Sequence, residues 1–133
     1  MAMRIISWNI SYQGNVKKKI ALIGQLTGEA QKLGKPFIVT LQEVTGDAYK
    51  DILNENIFHK HCYSLNYRQS GPLEGKSRGL GCFIGCSNSL VITEVSLLER
   101  APFPERALTA VVKHNDFSFK VICFHSLTGV GYL

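Results

Sequence analysis

The chain begins with the feature that most limits its fold: a strand pattern, a helix pattern and a second strand pattern in succession. Met3–Ile10 (MRIISWNI) is short, apolar and rich in β-branched and aromatic residues, which predicts a strand. Asn15 then has the right chemistry to cap a helix over Val16–Leu33. Val16, Ile20, Ile23, Leu26, Ala30 and Leu33 recur at spacings of three and four and form one apolar stripe. Gly34 ends that helix and Pro36 prevents its continuation. Phe37–Leu41 (FIVTL) is a second strand. A helical crossover between two strands of one sheet makes them parallel, so a βαβ unit is expected here.

Beyond it the pattern changes. Asp47–Asn56 predicts a shorter helix with Ala48, Tyr49, Ile52 and Leu53 on one side. Tyr63, Leu65 and Tyr67 alternate as in a half-buried strand, and the Gly- and Pro-containing stretch Arg68–Arg78 is a loop. Leu80–Cys86 and Leu90–Leu97 predict two strands around a Ser87-Asn88-Ser89 turn. Ala107–Lys113 and Phe117–Phe124 flank His114-Asn115-Asp116, which signals a hairpin. The expected class is α/β: a single domain over residues 1–133, with one mixed sheet and helices on one of its faces.

At 133 residues and 45 % apolar content the chain is long enough to bury a core without disulfide or metal staples. No apolar run is long enough for a membrane span, and no secretory leader is read, so a cytoplasmic location is expected. The net charge of +5 permits an anionic partner, a phosphate ester or nucleic acid. The basic residues are dispersed, however, and the one run, Lys17-Lys18-Lys19, reads as the solvated first turn of a helix. Cys62, Cys82, Cys86 and Cys123 are expected to be reduced thiols. Cys82 and Cys86, with His59, His61 and Cys62 upstream, raise a zinc alternative. A strand places Cys82 and Cys86 on one face beside Ile84, where thiols act as small core hydrophobes.

The first two strands are parallel, so both end at the same edge of the sheet, where open α/β sheets usually bind ligands. The first ends in Trp8-Asn9 and the second runs into Gln42-Glu43. A carboxylate near a carboxamide oxygen suits a hard cation such as Mg2+, which prefers oxygen ligands and keeps several waters. An ordinary strand-end surface carboxylate has the same sequence signature. His125 ends the last strand, where it could bind a phosphate oxygen or transfer a proton, or serve simply as a hydrogen-bonded rim histidine.

The segments R-I-I-S-W-N-I, L-Q-E-V at Leu41–Val44, R-G-L-G-C-F-I at Arg78–Ile84 and V-I-C-F-H-S at Val121–Ser126, in this order and spacing, resemble the endonuclease/exonuclease/phosphatase superfamily. The resemblance implies half of a four-layer α/β sandwich and metal-assisted hydrolysis of a phosphoester. It gives Glu43 and Asn9 metal-ligating roles with Mg2+, for which Mn2+ is able to substitute. It makes His125 the catalytic histidine that stabilises the phosphate. Arg106 and, more remotely, Arg78 match substrate-binding positions. The family's G-D-x-N motif and terminal D-H pair are absent, so the resemblance covers about the N-terminal half of such a domain.

That half is expected to be inactive by itself. It is also expected to expose the apolar inner face of its sheet, and so to belong to a longer protein or to self-associate across that face. A reading from another class is a non-catalytic binding module that keeps the half-fold. Metal binding that depends on Glu43 separates the two.

Overall fold

A computed structural model describes residues 2–11, 14–67, 79–101 and 103–125. The expected βαβ unit is present as β1 (Arg4–Asn9), α1 (Val16–Lys32) and β2 (Phe37–Val44), with β1 and β2 parallel and Asn9 in register with Gln42. The Asn15 side chain caps α1 by accepting from the Lys18 N–H. Helix α2 (Gly46–Asn54) is capped in the same way by Thr45, which accepts from the Ala48 N–H. The remaining strands are β3 (Lys60–Tyr63), β4 (Gly81–Cys86), β5 (Val91–Leu97), β6 (Ala107–His114) and β7 (Phe117–Phe124).

These strands divide between two sheets where the sequence suggested one. The first is mixed, in the order β1-β2-β4-β3, and the second is the antiparallel meander β5-β6-β7. The Ser87–Ser89 segment therefore carries the chain from one sheet to the other. The fold class holds: a mixed sheet with helices on one face, the arrangement of half an α/β sandwich.

Two cores follow from the alternation of side chains along each strand. On the helix side, Phe37, Val39 and Leu41 of β2 and Phe83 of β4 pack against Ile20, Ile23 and Ala30 of α1 and Ala48 and Ile52 of α2. On the other side, Ile38, Cys62, Cys82, Ile84 and Cys86 meet Leu97, Leu108, Ala110, Val112 and Cys123 of the second sheet. The face expected to be bare is thus largely covered by the second sheet. Ile5 of the edge strand β1, in register with Ile38, lies on that face and remains exposed, whereas Ile122 and Phe124 (56 % and 57 % exposed) lie on the outer side of β7.

Three local expectations change. Leu33 lies at the end of α1 and is 62 % exposed. Thr27 takes a core position instead, its hydroxyl donating to the carbonyls of Ile23 and Gly24 so that no donor is left unpaired. The strand expected through Tyr63, Leu65 and Tyr67 stops at Tyr63 and becomes a 3-10 turn, Ser64–Tyr67. The cause is Ser64: its buried hydroxyl donates to the Glu105 carbonyl and accepts from the Cys82 N–H, pulling the chain out of the ladder. The four thiols are free and buried between the sheets, as the strand reading of Cys82 and Cys86 required. Burial pushes the Cys62 thiol up to about 12 and Cys86 up to about 11, which makes them inert packing groups at neutral pH.

His61 gives this fold a pH dependence. Its ring stacks on Phe83 and meets Tyr49 edge-on, and its Nδ1 is buried without a hydrogen-bond partner. Burial holds its pKa below the ordinary 6.5. A group whose folded pKa is depressed binds protons more readily when unfolded, if the neutral form is the one the fold prefers. Its contribution is therefore complete above pH 6.5 and declines as pH falls toward the lower, folded value. Urea midpoints measured across that range should drop with acidity, and His61→Phe should flatten the drop. An unchanged slope in the variant would refute the assignment.

Candidate active site

Strands β1, β2 and β3 all end at one edge of the first sheet, where β4 begins. In the second sheet β7 ends and β6 begins at the same place, because the His125 N–H donates to the Arg106 carbonyl and the His125 ring reaches Glu43. Four of the five residues singled out from the sequence lie along this edge: Asn9, Glu43, Arg106 and His125. Arg78 lies outside the described residues.

Glu43 arrives there through a break in β2. The ladder with β4 runs regularly to Leu41↔Phe83 and resumes out of step at Val44↔Gly81. In a regular strand Glu43 would share the helix-side face with Leu41, and Val44 would face the second sheet. The bulge reverses this. Val44 joins the helix-side core, and Glu43, with φ at +57°, brings its Oε1 to 3.2 Å from His125 Nε2. An L-residue in the left-handed region costs about 1–2 kcal/mol, and bulges commonly re-aim a side chain in this way.

His125 and Glu43 are each only 18 % exposed in their side chains. Burial lowers the pKa of His125, the Glu43 carboxylate partly offsets this, and the Arg106 guanidinium adds to the lowering. The imidazole is accordingly neutral at pH 7, donating from Nε2 to Glu43, with Nδ1 buried and without a partner. Arg106, read in the sequence as a substrate contact, is buried at 5 % exposure with its guanidinium 5.0 Å from the centre of the Phe103 ring. Its charge thus acts at short range on His125 while its stem is part of the core. Asn9 Oδ1 accepts from the Ser11 N–H, forming a tight turn after β1.

Two residues of the edge were quoted in the motifs without a role. Cys123 Sγ donates to the Leu41 carbonyl at 3.3 Å, and Gln42 Nε2 donates to Cys123 Sγ at 3.5 Å. Strand alternation was the available signal, since Cys123 and His125 are two apart and share a face.

The fold is similar to that of TDP2 from Caenorhabditis elegans. One crystal structure of TDP2 matches 89 % of this chain with a TM-score of 0.54 and 14 % identity, and a second, of truncated TDP2, matches 89 % at 0.54 and 16 %. This chain spans 33 % and 43 % of those two structures, so it corresponds to less than half of their length. At that identity the likeness is one of fold. No family model and no curated protein matches the sequence.

A divalent ion is implied by the superfamily resemblance, and the donors can be tested against it. Asn9 and Glu43 offer one neutral and one anionic oxygen. Among the described residues no group of three or more His, Cys, Asp or Glu side chains is arranged to hold a metal. Magnesium keeps several waters and takes further oxygens from a substrate phosphate. Two donors do not make a closed protein cage, and an ion held here would have to complete its shell with water and substrate oxygens. No helix among the described residues is long and apolar enough to cross a membrane.

Proposed function

We propose that this chain is the N-terminal part of a divalent-metal-dependent phosphoester hydrolase, a nuclease or phosphatase, with Mg2+ as the expected ion. The observation that carries this reading is the bulge that turns Glu43 across the sheets to His125, at the edge where β1 ends in Asn9. Backbone strain of this kind collects at functional sites, and here it holds a carboxylate against a histidine. The fold shared with TDP2 supports a phosphodiesterase relationship.

Glu43 and Asn9 would hold the ion, which when bound would polarise a phosphoryl oxygen. Glu43 would also fix the His125 ring, which is neutral and able to hydrogen-bond the phosphate. Arg106, close enough to influence the His125 pKa, adds positive potential where an anionic substrate must dock. The substrate class is a phosphate ester, nucleic acid being the one favoured by the net charge of +5.

A titration with Mn2+, followed by paramagnetic broadening of NMR signals, tests this without a guess at the substrate. Broadening should be confined to residues near Asn9 and Glu43 and should vanish in Glu43→Ala. Uniform broadening, or selective broadening that survives the substitution, would defeat the metal assignment. The second reading, a binding module that keeps the half-fold, is favoured by one specific observation: among the described residues no group of three or more His, Cys, Asp or Glu side chains is arranged to hold a metal.

A further inference from the structure

We propose that Cys123 is a positioning residue that holds the Gln42–Glu43 bulge against β7 and so presents Glu43 to His125. This deepens the site reading above and rests on it only where metal is concerned.

The bulge needs an external hold. Leu41 is the last residue of β2 in regular register with β4, and Glu43 sits in a conformation an isolated chain avoids. Such backbone persists only when its surroundings over-determine it. The Cys123 thiol supplies two contacts at that point, one to the Leu41 carbonyl and one from the Gln42 amide. Two residues on, just past the end of β7, stands His125, and its contact on β2 is Glu43. The two cross-sheet contacts are thus adjacent on both strands, and the first sets the geometry of the second.

The donor count is consistent. A thiol has one proton, given to the Leu41 carbonyl, and its sulfur accepts from Gln42 Nε2. Cys123 is 1 % exposed, and its position is fixed by packing as well as by these bonds. Partners one step removed from a metal ligand commonly change metal affinity by about 10- to 100-fold when lost.

The test compares Cys123→Val, Cys123→Ser and Cys82→Ala in the metal-free protein, reading the nuclear Overhauser contact between the His125 ring and the Glu43 γ-protons. Valine fills the site and makes neither hydrogen bond, so the contact should be lost while the amide spectrum stays dispersed. Serine keeps a donor and an acceptor and should retain it. Cys82→Ala loosens the same core without removing the bonds to β2, so it should also retain it. If the contact persists in Cys123→Val, or disappears equally in Cys82→Ala, Cys123 is only a packing residue and the proposal is overturned. If the valine variant does not fold, Cys123→Ala is read in its place by the same criteria. A Mn2+ titration then adds a second reading: affinity should fall about tenfold or more in Cys123→Val. Failure of wild type to bind Mn2+ would overturn the metal assignment alone, because the proton contact is measured without metal.

Discussion

Glu43→Gly is expected to abolish the site-specific Mn2+ response and yet give a fold more stable than Glu43→Ala by about 1 kcal/mol. Both substitutions remove the carboxylate and its contact with His125, so that loss cancels between them. What differs is the backbone. At φ +57° alanine bears the steric cost of the left-handed region and glycine does not. Glycine's greater freedom in the unfolded chain takes back part of the gain, roughly 0.5–1 kcal/mol. Glu94 provides a control, because it too has a positive φ, +50°, at the break in register between β5 and β6. Glu94→Gly should show the same relief relative to Glu94→Ala and leave the Mn2+ response intact. Urea denaturation of the four variants with parallel titrations would decide it. Equal stabilities for Glu43→Gly and Glu43→Ala would mean that the strain at the bulge is no larger than glycine's own entropic cost of roughly 0.5–1 kcal/mol, removing the main argument that Glu43 is held in place for chemistry.

That bulge also marks where sequence reasoning ends. L-Q-E-V alternates as a strand should, and period two places Leu41 and Glu43 on one face, which is the face Glu43 leaves. Nothing local announces a register break, because its cause is distributed: the ladder with β4 on one side and Cys123 and His125 on the other. The helices were legible for the opposite reason. Asn15 caps its own helix three residues away, and the stripe Ile20, Ile23 and Ala30 is a property of α1 alone. Alternation likewise gave the faces of the strands but not their partners, so Ser87-Asn88-Ser89 looked like the turn of one sheet when it joins two. The burial of all six residues of β4 reflects cover on both sides, helices on one and the second sheet on the other. As for the candidate site, the motifs singled out Asn9, Glu43 and His125, which the fold brings to one edge. They left Cys123 unread because a buried thiol and a hydrogen-bonding thiol have the same letter. Arg106 was assigned by resemblance to substrate, yet it lies buried against Phe103, a contact between side chains that spacing does not report.

Gly85→Ala should cost the fold about 3 kcal/mol, at the upper end for an added core methyl, although alanine is better suited to a strand than glycine. A Cβ built at Gly85 would lie 2.6 Å from Phe58 Cδ1, 2.8 Å from Phe58 Cγ and 2.8 Å from Phe83 Cε1. Both rings are buried, their centroids 5.2 Å apart, and Phe58 also meets Phe37 edge-on at 6.0 Å. Neither ring has a flexible end to move aside, so the methyl must displace an aromatic cluster packed between β4 and the helices. Gly24 shows what the milder case looks like, since its Cβ would meet only the tip of Ile57, at 3.4 Å. The clash has a specific remedy. Phe58→Leu alone should destabilise by leaving a cavity, but in combination with Gly85→Ala the smaller side chain vacates the space the methyl needs. The double variant should therefore be more stable than the sum of the two single losses predicts, with a coupling in the range of about 1–2 kcal/mol usual for residues in contact. Additive losses in denaturation experiments would show that Gly85 is required for some reason other than the Phe58 ring. A loss from Gly85→Ala below about 1 kcal/mol would show that the cluster repacks readily, and that this wall of the helix-side core is softer than its geometry implies.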